Sequence, residues 1–317
     1  MQKNIIKKSL LSRGIALIIT FFIITSIIPS KKRSNGTKKL YSNDKVTIVT
    51  YNIGDCTYGS ANFTTSKSDA KKNLNNIISL IEESSYDVCL LQESNWLNIT
   101  NYFINPSKKI SSHFNDQSFI YGSNSNILNV FDSGNMTMTK YESTNKRLKV
   151  PIKGEGLIND KFYVHKLLIE TRIKIFESDN ELVIYNIHLA PFSNNRLVKL
   201  AQIKYILELA KLEYESGNFV VVGGDWNTNL STKDQEKQSL NLELKKIFGD
   251  DLWKFKRLNS FTFQGKDKKG NIVNKTIDGF LFSPNIKGNV QSLENFEHSD
   301  HSPVELKLSL TKNKNNN

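Results

Sequence analysis

The chain has 317 residues, 38% hydrophobic and 10% aromatic, which suits one large core and excludes a disordered or fibrous polymer. Its formal charge of +12 would suit a nucleic-acid binder, but the excess is local. Residues 1–45 hold ten of the Lys and Arg residues against a single acid, Asp44, and the rest of the chain carries only +3.

The N-terminus MQKNIIKKSLLSRG is basic, Ile15 to Ile28 is almost wholly apolar, and KKRSNGTKK follows. Fourteen helical residues span about 21 Å, short of a bilayer core of about 30 Å but right for the apolar part of a signal peptide. No clean small-residue cleavage pattern follows, because Ile27, Ile28 and Pro29 occupy its place, and extending the helix back to Leu10 requires Arg13 to snorkel. Residues 1–29 therefore read as either a cleaved signal or a retained membrane anchor. No cysteine follows the run, which excludes a bacterial lipoprotein. The expected localisation is extracytoplasmic, secreted or anchored, with the flanking cations suited to anionic lipid. Residues 30–45 read as a basic polar linker, 46–310 as one domain and 311–317 as a disordered tail.

From Val46 the pattern alternates. VTIVTYNIG is a strand, and Ser68–Glu83 is a helix with Leu74, Ile77, Ile78 and Ile81 on one face. DVCLLQE is a buried strand, and Ser118–Thr139 is expected to hold several short strands. Phe162–Glu177 and Glu181–Leu189 form two more around an Asp-Asn turn. Asn194–Glu215 is a long amphipathic helix, FVVVGG a strand, and Lys275–Ser283 and Val304–Leu310 complete the set. Mixed βα crossovers and hairpins predict a mixed α/β system with helices outside. The Gly-rich phosphate loops GxGxxG and GxxxxGK[ST] are absent, as is HExxH.

Most of these strands end in an acid, amide or imidazole: Asn52, Glu93, His188, Asp225 with Asn227, and Asp278, followed by Asp300 and His301 in HSDHSP. Any one has a bland explanation, since Asn and Asp favour turns. The set is different. Strands of one sheet place their ends on a common rim, and clustered carboxylates cost stability unless a cation or substrate uses them. Two histidines supply proton transfer near neutral pH, and a glutamate with nearby carboxylate and amide oxygens suits a hard cation, Mg²⁺ with Mn²⁺ or Ca²⁺ as alternatives. Ser299 beside His301 lacks the GxSxG elbow of a serine hydrolase.

The ordered set YNI, LLQES, YNIHL, GGDWN, TIDGFLFS and HSDHSPV resembles the endonuclease/exonuclease/phosphatase superfamily, the deoxyribonuclease I-like fold, over about residues 46–310. DSGNMTMTKY agrees more weakly with another strand of that family, and Trp226 stands where most members carry Phe. The resemblance implies a four-layered α/β/β/α sandwich of two packed mixed sheets flanked by helices. It implies Glu93 as the principal metal ligand, with Asn52 and Asp300 nearby. His301 would be general base or proton shuttle, oriented by Asp278. Asp225 would position or deprotonate water or protonate the leaving group, and Asn227 and His188 would hold the phosphate. Trp226 is expected to point into packing. On such a fold Cys89 lies about 13 Å below the rim and Cys56 above it, too far apart to pair, so two free thiols are expected, Cys89 buried.

The implied activity is Mg²⁺-dependent hydrolysis of a phosphodiester by in-line attack of water, by a chain expected to be monomeric. A nuclease would use a basic groove, for which KDKKGNIVNK (266–275) and STNKRLKVPIK (143–153) are candidates. The alternatives are a sphingomyelin or phospholipid phosphodiesterase and a phosphatase of inositol phosphates or nucleotides. For the membrane-active one NSFTF (259–263) is available, although Phe261 and Phe263 are expected in the core. A non-catalytic binding protein on the same fold is the alternative of another class.

Overall fold

The computed structural model describes residues 31–311, except 60–61, 64–65, 97, 128–130, 151–166, 191–195, 231–234, 250–252, 257, 259 and 268. The leader expected at residues 1–29 and residues 312–317 of the expected tail lie outside the described residues.

In chain order the strands are β1 (Lys31–Arg33), β2 (Lys45–Asn52), β3 (Tyr58–Gly59) and β4 (Asn62–Phe63). Helix α1 (Lys67–Glu83), β5 (Val88–Gln92), α2 (Pro106–His113), β6 (Ser118–Ile127), β7 (Phe131–Thr139) and β8 (Thr144–Lys149) follow. The second half holds β9 (Leu167–Lys174), β10 (Glu181–His188), α3 (Arg196–Glu215), β11 (Phe219–Asp225), α4 (Gln235–Phe248) and β12 (Lys254–Phe255). It closes with β13 (Phe263–Lys266), β14 (Ile272–Lys275), β15 (Asp278–Phe282), β16 (Ile286–Ser292) and β17 (Val304–Leu310).

Period-2 alternation builds four layers. One sheet runs β1-β6-β7-β5-β2-β17-β16 and the other β12-β15-β11-β10-β9-β8. Ile48, Leu90 and Leu306 of the first meet Ile184, Val221 and Phe280 of the second in a shared inner core. Their neighbours point the other way: Val49, Cys89 and Leu91 pack under α1 through Leu74, Ile77 and Ile81. Val183, Tyr185, Val220 and Val222 likewise pack under α3 and α4 through Ile203, Leu207 and Leu240. Each such side chain contributes roughly 1.5–3 kcal/mol by leaving water. Helix α1 starts where Ser66 Oγ accepts the N–H of Asp69 at 3.1 Å.

Two pairs are parallel, β2 with β5 and β10 with β11, each joined through a helix. Their C-terminal ends therefore emerge on one rim, with Asn52 opposite Gln92 and His188 opposite Asp225. Just below that rim the inner core turns polar. Gln92 Nε2 donates to Asn186 Oδ1 at 2.8 Å, and Asn186 Nδ2 donates to the carbonyl of Met136 at 3.0 Å. This buried amide clamp fixes one sheet against the other where a sliding mismatch would spoil the site.

Three expectations change. Ser118–Ile127 and Phe131–Thr139 are two long strands, β6 paired antiparallel with β7 with an irregularity between Ser123 and Ser125, not several short strands. Phe261 and Phe263 are half-buried at the surface, stacked on Phe296 at 5.2 Å and lying against His301 at 5.0 Å, not in the core. The stretch from Lys31 to Lys45 is no linker: β1 pairs with β6, Lys38 and Leu40 bridge to Tyr141 and Ile175, and Leu40 is fully buried. Its cations are stapled to rings, Arg33 over Phe119 and Lys38 over Tyr141. Arg33 also donates to the carbonyls of Ser111 and Phe114, which the end of α2 leaves without helical partners. Cys56 and Cys89 are free and fully buried.

Candidate active site

The rim gathers every strand-end residue singled out in the sequence. His301 Nδ1 lies 2.8 Å from Asp278 Oδ2, and its Nε2 faces Asp225 Oδ2 at 3.9 Å. His188 Nε2 sits 3.6 Å from Asp225 Oδ2 and 3.8 Å from Glu93 Oε1. Asn52 Nδ2 donates to both carboxylates, Asp225 at 3.0 Å and Glu93 at 3.2 Å. Glu93, Asp225 and the two imidazoles thus surround one small volume. Asp300 is close enough to add negative potential at Glu93 and His301.

Backbone geometry aims these groups. Gly224 has φ +146° and pairs beside Ile187, where a Cβ would lie 2.0 Å from the Ile187 carbonyl oxygen. Only glycine brings β11 that close to β10 and so sets Asp225 beside His188. The chain then turns: Asn227 has φ +46°, its N–H donates to Asp225 Oδ1 at 2.7 Å, and its Nδ2 donates to the carbonyl of Leu189 at 3.0 Å. Trp226 points the other way. It is fully buried, with Nε1 donating to the carbonyl of Gly279 and its ring edge-on to Phe255. Glu93 also has positive φ, +50°, and leaves the end of β5 with its side chain partly open to solvent.

The site is electrostatically loaded. Burial raises Glu93, with His301 pulling the other way and Asp300 adding to the rise. Burial and Asp278 push Asp225 up to about 6, against the imidazole of His301. Burial opposes charge on His301, but Asp278, Asp225 and Asp300 override it and push the imidazole up to about 10. Carboxylates so crowded, one with a side open to the mouth and with no thiolate beside it, fit a hard divalent cation. One tight donor set is Asp225, Asp278 and His301, within 4.8 Å of one another, but Asp278 Oδ2 there is already bonded to the imidazole. Glu93 and Asp300 better suit the cation because Glu93 faces the opening. Asn52 Oδ1 accepts the N–H of Gly54 at 3.1 Å, so toward Glu93 this amide presents hydrogens and orients the carboxylate.

Three neighbours escaped the sequence reading. Asp55 accepts from Asn98 at 3.2 Å and from Thr100 at 3.3 Å and is pushed well up by burial and by Glu93. Lys199 Nζ donates to the carbonyl of Asn227 at 2.5 Å, and Gln202 accepts the N–H of Ala190 at 3.0 Å. Both stand three residues apart on α3 and buttress the loops that follow His188 and Asp225. Their spacing along a polar helix edge was the available signal.

The sequence model of the Endonuclease/Exonuclease/phosphatase family matches residues 49–301. The chain belongs to this family, whose members are hydrolases acting on phosphoester bonds. Solved structures agree in fold. A family member from Bacteroides vulgatus superposes with TM-score 0.60 at 13% identity, covering 84% of this chain and 99% of that one. The mannosyl-6-phosphatase of Bacteroides thetaiotaomicron gives 0.59 at 13%, covering 84% and 100%. The D. rerio TDP2 complex with a single-strand DNA product gives 0.56 at 12%, again covering 84% and 100%. No curated protein matches the sequence.

Proposed function

We propose that this family member is an exported, Mg²⁺-dependent phosphodiesterase of nuclease-like type, which hydrolyses a phosphodiester by in-line attack of water. The observation that carries the reading is the His301–Asp278 pair at 2.8 Å, with the free imidazole edge turned on Asp225, which His188 approaches from beside Glu93. Glu93 and Asp300 would hold a divalent cation, which would supply positive charge beside the phosphate. Asp225, ionised above about pH 6, takes the proton of the attacking water. His301, held protonated by Asp278, presents its Nε2 proton to charge that develops on the phosphoryl group. His188 and the amide of Asn227 hold the remaining oxygens, and Asn52 keeps Glu93 and Asp225 in register.

The DNA product in the TDP2 structure and the Lys-bearing hairpin β13–β14 beside His301 favour a polyanionic substrate. The neighbouring mannosyl-6-phosphatase makes a small phosphomonoester the second reading. A panel with Mg²⁺ tests them together: plasmid DNA, a chromogenic phosphodiester, sugar phosphates, and sphingomyelin vesicles scored for phosphocholine. DNA cleavage that dies in Glu93→Ala and His301→Ala supports the proposal. Turnover of sugar phosphate alone replaces it with the second reading, and turnover of nothing sinks it.

A further inference from the structure

The strand that opens the described chain runs downward from the catalytic rim. β1 is antiparallel to β6, with Lys31 opposite Tyr121 and Arg33 opposite Phe119. Tyr121 stands opposite Met136, which stands opposite Leu91, two residues before Glu93. Arg33 is at the other end, bonded to the carbonyls at the foot of α2. Lys31 is therefore the rim end of β1, and its ammonium lies 5.4 Å from the ring centre of Trp96, three residues beyond Glu93. Only Pro29 and Ser30 separate Lys31 from the apolar run Ile15–Ile28. Extended, that connection reaches about 10 Å.

The same rim carries exposed apolar side chains that the core does not use. Ile99 and Phe103 are each 46% exposed, on the loop that leaves Glu93 and touches Asp55 through Thr100. Ile272 is 64% exposed on the hairpin β13–β14, whose base bridges to His301 and whose strands carry Lys266 and Lys275. Lys31, half-buried, and Lys32, exposed, add cations at the rim end of β1. Scattered exposed apolar residues need no explanation singly. Here they share one end of the molecule with the point where a thirty-residue basic and apolar segment meets the fold.

We infer that the catalytic rim docks on an anionic lipid bilayer. With the N-terminal run in the membrane, the two-residue connection leaves no room for the domain to turn its rim away. Lys31, Lys32 and Lys266 face the headgroups, and Ile99, Phe103 and Ile272 enter them. The catalytic mouth then opens into the interfacial layer, and substrate reaches it along the surface of the bilayer. This orientation does not depend on which ester is cleaved.

The test uses the full chain in vesicles of phosphatidylglycerol and phosphatidylcholine containing a headgroup nitroxide lipid. Single cysteines placed at Ile99, Phe103 and Ile272 carry a fluorophore, and the same label at Leu212 on α3 and Lys287 on β16 gives the comparison. Cys56 and Cys89 are fully buried and stay unlabelled in the folded protein. All five positions are exposed, so the variants fold. Quenching at residues 99, 103 and 272 several-fold greater than at 212 and 287 is expected. Equal quenching at all five, the reverse order, or a chain that does not sediment with the vesicles overturns the inference. The readout is independent of catalysis, so it stands or falls apart from the proposed activity.

Discussion

Toward the base of the sandwich, Arg172 lies among three glutamates, bonded to Glu181 at 2.6 Å and through two nitrogens to Glu213 at 2.7 and 2.9 Å, with Glu170 at 3.6 Å. At the rim, Glu93, Asp225, Asp278 and Asp300 face the imidazoles of His188 and His301 instead of a guanidinium. The acid consequences are opposite. Arg172 holds Glu213 below the usual carboxylate range, whereas burial and mutual repulsion raise Glu93 and Asp225. The base ties β9, β10 and α3 together and is satisfied as it stands. The rim leaves its carboxylates raised, which is what a site that takes up further positive charge would show.

The sharpest break in that contrast is to remove one rim group. Glu93→Ala and His301→Ala should each lower kcat by about 10²–10⁴-fold with the fold intact, measured as turnover beside circular dichroism. Chelation of the cation should abolish turnover reversibly and leave the fold, because the core does not need the ion. Arg172→Ala should do the reverse. It leaves three acids unpaired and should cost about 2–3 kcal/mol in denaturant unfolding, discounted for partial exposure, while turnover per folded molecule stays near wild type.

Smaller changes sharpen the comparison through pH. Turnover should rise as Asp225 ionises near pH 6 and fall as His301 loses its proton toward pH 10. Asp278→Asn should move the alkaline limb down. Stability carries the same signature in chelator. The contribution of protonated His301 is fully present below about pH 6.5, its unfolded value, and is lost as pH rises through about 10. Asp225, also raised, makes stability fall between about pH 4 and 6. A pH-independent unfolding free energy over that whole span would contradict the electrostatics of the rim. The mildest effect is expected at Lys199→Met, about a tenfold loss of kcat from a loosened Asn227 loop, with Lys199→Arg restoring most of it.

What was readable in the sequence follows from what is local. Val220–Val222 ending in Gly-Gly-Asp announces a buried strand with a functional tip, and α1 announces itself by one apolar face. The rule that parallel strands end together sets Asn52 beside Glu93 and His188 beside Asp225. These pairs belong to two sheets and His301 precedes the antiparallel β17, so their convergence also needed the packing of one sheet on the other. Asp55 was hidden because a single acid in a glycine turn looks like turn chemistry, and its tie to Asn98 and Thr100 is made by folding. The segment 31–45 reads as a linker when its Lys and Arg are counted only as charges. Their stems and ring contacts, Arg33 on Phe119 and Lys38 on Tyr141, span separations of about a hundred residues that no local pattern records.

β1 is three residues long, yet among the described residues β6 has no other strand on that side. Without it, Phe119–Tyr121 of that ten-residue strand would also present their edge N–H and C=O groups as the outermost row of the larger sheet. A chain begun at Val46, where the clear strand pattern starts, would keep every candidate catalytic residue and still offer an open template for a second copy. Such a shortened protein should clump during purification, and it would also lose the fully buried Leu40 from its inner core. The basic stretch after the apolar run thus also guards the molecule against its own kind.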